Sequence, residues 1–161
     1  MFQIKLHVPG IGRKTISRKG IANKLQNIFD YRLTMITAPA GYGKTTAAAG
    51  FLLSSGLSHA WLSLDPEDND PVRFWQYLIA AVAGAESSLT SSLQDLTVSR
   101  DLIESNILAG LFIDQLYSIT GSFVLVLDDY HLIQDTLVWE SLAYFIKYKP
   151  LSFHVIILTR Q

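Results

Sequence analysis

Four short apolar runs divide the chain: Leu33–Thr37, Ala60–Leu64, Phe123–Leu127 and Phe153–Thr159. Each is nearly continuous and too short for an ordinary helix, which predicts buried strands. Between them, apolar residues recur at three- and four-residue spacing. Ile21, Ala22, Leu25, Ile28 and Phe29 predict a helix over about 18–29, capped by Ser17. Ala47–Leu53 predicts a second, stopped at Ser54-Ser55-Gly56. Phe74, Trp75, Leu78, Ile79 and Val82 predict a third, with Asp70 as cap, Pro71 at its first position and Gly84 near its end. Its aromatic stripe reads as core rather than as a base-stacking platform. From Asp101, as cap or first-turn acid, Leu102, Ile103, Ile107, Leu108, Leu111, Phe112 and Leu116 predict one helix. Leu137, Val138, Leu142, Phe145 and Ile146 predict another over about Thr136–Lys147, capped by Asp135 and ended by Pro150. Alternating strands and helices predict a three-layer α/β domain, with a mostly parallel sheet and helices on both faces.

The remaining stretches read as connections. Phe2, Ile4, Leu6 and Val8 alternate before Pro9-Gly10, predicting an extended arm closed by a turn. Asp65–Pro71 is a loop, and Ser87–Ser92 a polar connector. The four carboxylates of the first loop lack the spacing of a calcium loop, and its prolines and cap explain most of the composition.

Chemistry concentrates in Ala38–Thr46, APAGYGKTT, between the first strand and the following helix. That is the context of a phosphate-binding loop. Gly41 and Gly43 allow a tight turn with inward N–H groups, and a helix N-terminus adds its own unpaired donors and positive dipole end. Lys44 can reach terminal phosphates, and Thr45 can ligate a magnesium ion bridging them. Ala40, Gly41, Tyr42, Gly43, Lys44, Thr45 and Thr46 are the candidate nucleotide-contacting set, with Thr46 already on the helix. The full GxxxxGK[ST] pattern wants glycine where this chain has Ala38, so taken alone the stretch also fits a glycine turn opening a helix.

The third strand ends in Asp128-Asp129. Buried carboxylates at a strand's C-terminal end are costly unless paired or near a cation, so a place beside a phosphate–magnesium site makes physical sense; taken alone, the pair also fits a strand-end turn with exposed acids. Asp128 is the candidate second magnesium ligand with Thr45. Asp129 is the candidate to orient or deprotonate an attacking water. Arg160, ending the fourth strand, could face a γ-phosphate or equally be a frayed terminal charge.

Composition narrows the rest. The 161 residues are 49% hydrophobic with a formal charge of −1, enough for one sizeable core and no sign of disorder. Without cysteine, disulfides and thiolate metal sites are excluded. No ligand spacing links His7, His59, His131 and His154. No apolar run reaches the roughly 20 residues of a membrane span, and Met1–Gly10 lacks a signal-peptide core, so a cytoplasmic protein is expected. Before Leu33, seven basic residues stand against Asp30 alone, a segment that either flanks a polyanion site or binds an acidic polymer.

Taken in order, APAGYGKTT, AWLSLDPEDNDPVRFWQYLIAAV, FVLVLDDYHLI and VIILTR resemble the N-terminal ATPase domain of MalT-like, large LuxR-type transcriptional activators, members of the STAND class of P-loop NTPases. The resemblance runs from about Leu33 to Arg160, with the region from Arg18 to Leu25 matching the helix that family places ahead of its phosphate loop. It implies that Lys44 and Thr45 are the Walker A pair, Asp128 the Walker B magnesium ligand, Asp129 the catalytic acid and Arg160 a sensor arginine. Ala38 is a common variant there. It also implies residues 1–32 as an arm and helix flanking the nucleotide, with Arg18 and the turn near Pro9-Gly10 beside the adenine, and residues 33–161 as the NTPase core. Binding of ATP or ADP with Mg2+ is implied, as are self-association in the ATP state and DNA contact only through a C-terminal domain outside this sequence. The sequence is then a fragment of a longer regulator, without the last strand and closing subdomains. A nucleotide-binding module without hydrolysis and a P-loop phosphotransferase are the alternatives.

Overall fold

The computed structural model describes residues 3–10 and 23–160. Its centre is a four-stranded sheet of β1 (Leu33–Thr37), β2 (Ser58–Ser63), β3 (Phe123–Asp128) and β4 (Phe153–Thr159), in the order β1-β4-β3-β2. All three pairings are parallel. The continuous apolar runs therefore belong to strands covered on both faces, and every residue of β3 is buried.

The period-two alternation divides these strands between two cores. Leu62, Phe123, Leu125, Leu127, Phe153, Val155 and Ile157 face one layer, where they pack with α2 (Pro71–Ala85), α5 (Ile107–Leu116) and α6 (Thr136–Tyr148). Trp61, Val124, Val126, Ile156 and Leu158 face the other, against Ala48, Ala49 and Leu52 of α1 (Lys44–Ser55), with Leu25 and Ile28 beside them. This is the three-layer arrangement expected. Trp75 anchors the larger core: its ring meets Phe74, Phe112 and Phe145 edge-on, and its Nε1 donates to Ser141 Oγ at 2.9 Å. The aromatic stripe of α2 is core.

The caps at Asp70 and Asp135 form as expected, accepting from Val72 and Val138 N–H. Three expectations need correction. The helix predicted from Asp101 is two, α4 (Arg100–Glu104) and α5, because Asn106 takes the left-handed conformation at φ 60° between them. Its cap is Ser99, accepting from Leu102 N–H, and Asp101 is a first-turn acid. The polar connector is ordered as a 3-10 turn, Ser87–Leu89, and α3 (Thr90–Gln94), because Leu89 and Leu93 are buried. The expected N-terminal extended arm contains a 3-10 turn, Gln3–Leu6, that leaves Ile4 82% exposed and turns Lys5 inward. Two carboxylates hold that ammonium, Asp65 at 2.8 Å and Asp68 at 2.5 Å. The Ser17 cap, Arg18 and the start of the helix predicted over about 18–29 lie outside the described residues; residues 23–25 are helical and Ile28–Asp30 forms a 3-10 turn.

Candidate functional site

Parallel strands bring their C-terminal ends to one edge, and the turns leaving them define the site. Thr37 lies opposite Thr159, and Ser63 opposite Asp128. The chain leaving β1 stays tethered there, with Ala38 N–H donating to the Thr159 carbonyl at 3.4 Å. Gly41 and Gly43 then adopt φ of 81° and 76°, values that any Cβ would strain, and α1 begins at Lys44. Among the described residues no side chain caps α1, which leaves its first-turn N–H groups at the positive end of the helix without a side-chain acceptor there.

Lys44 folds back over its own loop, donating from Nζ to the Ala38 carbonyl at 2.8 Å and the Pro39 carbonyl at 3.3 Å. Both partners are neutral carbonyls, so neither offsets the positive charge of the side chain beside the loop.

Thr45, one residue along, crosses to the third strand: its Oγ1 donates to Asp128 Oδ2 at 2.9 Å. The other carboxylate oxygen accepts the Asp129 N–H at 2.8 Å. Asp128 is only 5% exposed, and burial raises its pKa, with Asp129 pushing the same way against the Thr45 hydrogen bond and the Lys44 charge. A hydroxyl and a buried carboxylate side by side are hard oxygen donors, the set a magnesium ion takes. Thr45 and Asp128 could hold such an ion, which would also relieve the crowding of negative charge. Asp129 follows in the left-handed conformation, φ 57°. Such a turn after a buried strand redirects the chain sharply over the strand end.

The structure thus brings Lys44, Thr45, Asp128 and Asp129 together. Arg160 is exposed and follows β4, which lies between β1 and β3 in the sheet. Ala40, Gly41 and Tyr42 are exposed on the loop, and Thr46 lies in the first turn of α1. The four carboxylates of the loop after β2 have other duties. Asp65 and Asp70 cap helical turns, Glu67 pairs with Arg73, and Asp68 is shared by Lys5 and Arg73.

Two features near the strand ends carried no sequence signal. Burial lifts the Tyr130 hydroxyl to a pKa of about 12, and His131 keeps a buried Nδ1 without a hydrogen-bond partner among the described residues. Asn69 bonds to residues 63 and 66 positions away, and a bridge of that length leaves no trace in local spacing.

No family model matches the chain. The HTH-type transcriptional regulator MalT of Vibrio cholerae is 34% identical over 157 residues, covering 98% of this chain and 17% of the relative. The MalT proteins of Yersinia enterocolitica and Cronobacter sakazakii are each 36% identical, covering 97% and 98% of this chain and again 17% of their own lengths. The chain is a homologue of part of MalT. It spans about a sixth of the length of these MalT relatives. Among solved structures, C. elegans PCH-2 overlays with a TM-score of 0.44 at 12% identity, covering 88% of this chain and 35% of that one, too remote to bear on the site. Among the described residues, no helix is long and apolar enough to cross a membrane.

Proposed function

We propose that this chain is the nucleotide-binding switch domain of a MalT-like transcriptional regulator, binding ATP or ADP with Mg2+ and hydrolysing ATP slowly. The observation that carries the reading is the hydrogen bond between Thr45 and Asp128, which joins the glycine loop to the acidic strand end. A fold without a phosphate site has little reason to combine a helix start without a side-chain cap among the described residues, a lysine on neutral carbonyls and a buried carboxylate followed by a second acid at one sheet edge.

In this reading the N–H groups of Ala40–Thr46 cradle the phosphates, and Lys44 swings from the Ala38 and Pro39 carbonyls onto the terminal ones. Mg2+, held by Thr45 and Asp128, supplies charge neutralisation across the phosphates. Asp129 orients or deprotonates the attacking water, and Arg160 reports the γ-phosphate. Residues 1–32 flank the nucleotide and residues 33–161 form the core. In the cytoplasm, the longer regulator would self-associate in its ATP state and contact DNA through a separate domain.

The test is calorimetric titration of the chain with ADP and with ATP, each with Mg2+, beside Lys44→Ala. Saturable binding weakened by roughly 1.5–3 kcal/mol in the variant is the expected result, from the loss of charge-assisted contacts. Absence of binding by the folded chain would overturn the reading.

A further inference from the structure

One side chain joins the turn after β2 to the loop after β3. Asn69 donates through Nδ2 to the carbonyls of Pro66 and Leu132, both at 2.9 Å. Its Oδ1 accepts the N–H groups of Gln134 at 2.6 Å and Asp135 at 3.0 Å. A primary amide has two donor hydrogens and two acceptor lone pairs, so every bond it can make is used, and three of the four go to the segment following Asp129.

Leu132 carries this constraint towards the site. Its carbonyl accepts from Asn69, and its N–H donates to the Asp129 carbonyl at 3.0 Å. Asp129 itself sits at φ 57°, a conformation that a non-glycine residue keeps only where its surroundings determine it. From the other side, Asp128 accepts the Asp129 N–H. Asn69 in turn has a rigid base. The preceding Asp68 is fully buried, held by Lys5 and Arg73, and accepts the Asp65 N–H at 2.8 Å.

We propose that Asn69 is a positioning residue for Asp129, acting through the backbone of Leu132 to fix where the Asp129 carboxylate points relative to a bound terminal phosphate. Its consequence for turnover rests on the hydrolytic reading above; the bond relay itself does not. A displacement of about 1 Å at a catalytic group can cost on the order of 100-fold in rate, so a clamp outside the phosphate contacts can govern turnover without governing affinity.

The experiment compares the chain with Asn69→Ala and Asn69→Asp for ATP–Mg2+ affinity, ATP turnover and amide hydrogen exchange. Asn69→Ala should lower turnover by roughly 10- to 100-fold with affinity essentially unchanged, and speed exchange at Leu132, Gln134 and Asp135. Asn69→Asp keeps the acceptor for Gln134 and Asp135 but cannot donate to Leu132. It should therefore retain protection at those two amides while turnover stays low, a split that general loosening of the fold does not produce. Turnover at the wild-type rate in Asn69→Ala, or a parallel loss of affinity and turnover, would overturn the proposal. If the unaltered chain binds nucleotide but does not hydrolyse it, the hydrolytic reading fails, and exchange at Leu132 decides the positioning alone. Faster exchange there in both variants upholds the relay, and unchanged exchange sinks it.

Discussion

Thr45 on the first turn of α1 and Asp128 at the end of β3 stand 83 positions apart in the chain and share a 2.9 Å hydrogen bond. The bond spans the two elements that face each other across the sheet edge, and it stabilises a carboxylate that burial otherwise disfavours. A raised folded-state pKa means that protonation favours the fold. That contribution is full below the ordinary carboxylate range and is lost as pH rises through the raised value.

Asp128→Asn removes that charge without changing shape. The amide can accept from the Asp129 N–H with its oxygen and donate to Thr45 Oγ1 with its nitrogen. At neutral pH the variant should be more stable than the unaltered chain, because the cost of burying the carboxylate's charge is gone. Mg2+ should no longer strengthen nucleotide binding. Denaturant melts and calorimetry with and without Mg2+ check both, and a destabilised variant that still responds to Mg2+ would contradict the assignment.

Lys5 supports a second prediction. Its ammonium holds the carboxylate of Asp68, which is fully buried, and lies 4.5 Å from the Tyr77 ring centre. Lys5→Met keeps most of the volume and leaves Asp68 with Arg73 as its charged partner. Removing one partner of a buried pair typically costs about 3–5 kcal/mol. Arg100→Ala breaks an exposed i, i+4 pair with Glu104, of a kind whose usual contribution is about 0.3–0.5 kcal/mol. Urea melts of the two variants should therefore differ by several fold in their loss of stability.

What the sequence disclosed follows from the range of the interactions involved. The strands were legible because a strand buried on both faces must be continuously apolar, and Phe123–Leu127 has no other use in so short a run. The meeting of the helix start at Lys44 and Thr45 with the strand end at Asp128 was legible because each lies in a fixed local context, a glycine turn opening a helix and an acid closing a strand. The turn at Gln3–Leu6 was hidden because a long-range ion pair overrides its alternation. The break at Asn106 was hidden because Leu102, Ile103, Ile107 and Leu108 keep helical spacing across it, while the left-handed residue interrupts only the backbone. Asn69 reads locally as one more polar residue in a proline-rich loop.

A third prediction concerns acid. His154 in β4 is fully buried, its Nε2 lies 2.8 Å from Thr34 Oγ1, and its Nδ1 has no partner in good geometry among the described residues. Burial first, and then the Lys149 charge, push its pKa down to about 4 against an ordinary 6.5, although the Tyr31 carbonyl acts the other way. Between those values the unfolded chain binds a proton that the folded chain refuses, so stability falls as pH falls. At about 1.4 kcal/mol per pH unit, the window removes about 3 kcal/mol. His154→Gln should destabilise the chain at pH 7 by losing packing, and the difference from the unaltered chain should shrink or reverse by pH 4. A difference independent of pH would rule out the histidine as the source.

Lys149 supplies the last prediction. Its residue is 2% exposed, its Nζ has no hydrogen-bond partner among the described residues, and burial together with the Arg32 charge lowers its pKa to about 8. Below that value the ammonium is charged in both states and is the more costly in the folded one. As pH rises from about 8 towards 10.5, the folded chain releases its proton first, so this group's penalty fades and stability rises. Lys149→Met fills the same space without the charge. It should stabilise the chain at pH 7 by on the order of 1–3 kcal/mol and flatten the alkaline rise. Because the Lys149 charge also depresses His154, the variant's histidine should titrate higher and its acid loss should be smaller. Melts at pH 4, 7 and 9 measure all three effects, and a less stable Lys149→Met at pH 7 would mean that the ammonium has a stabilising role.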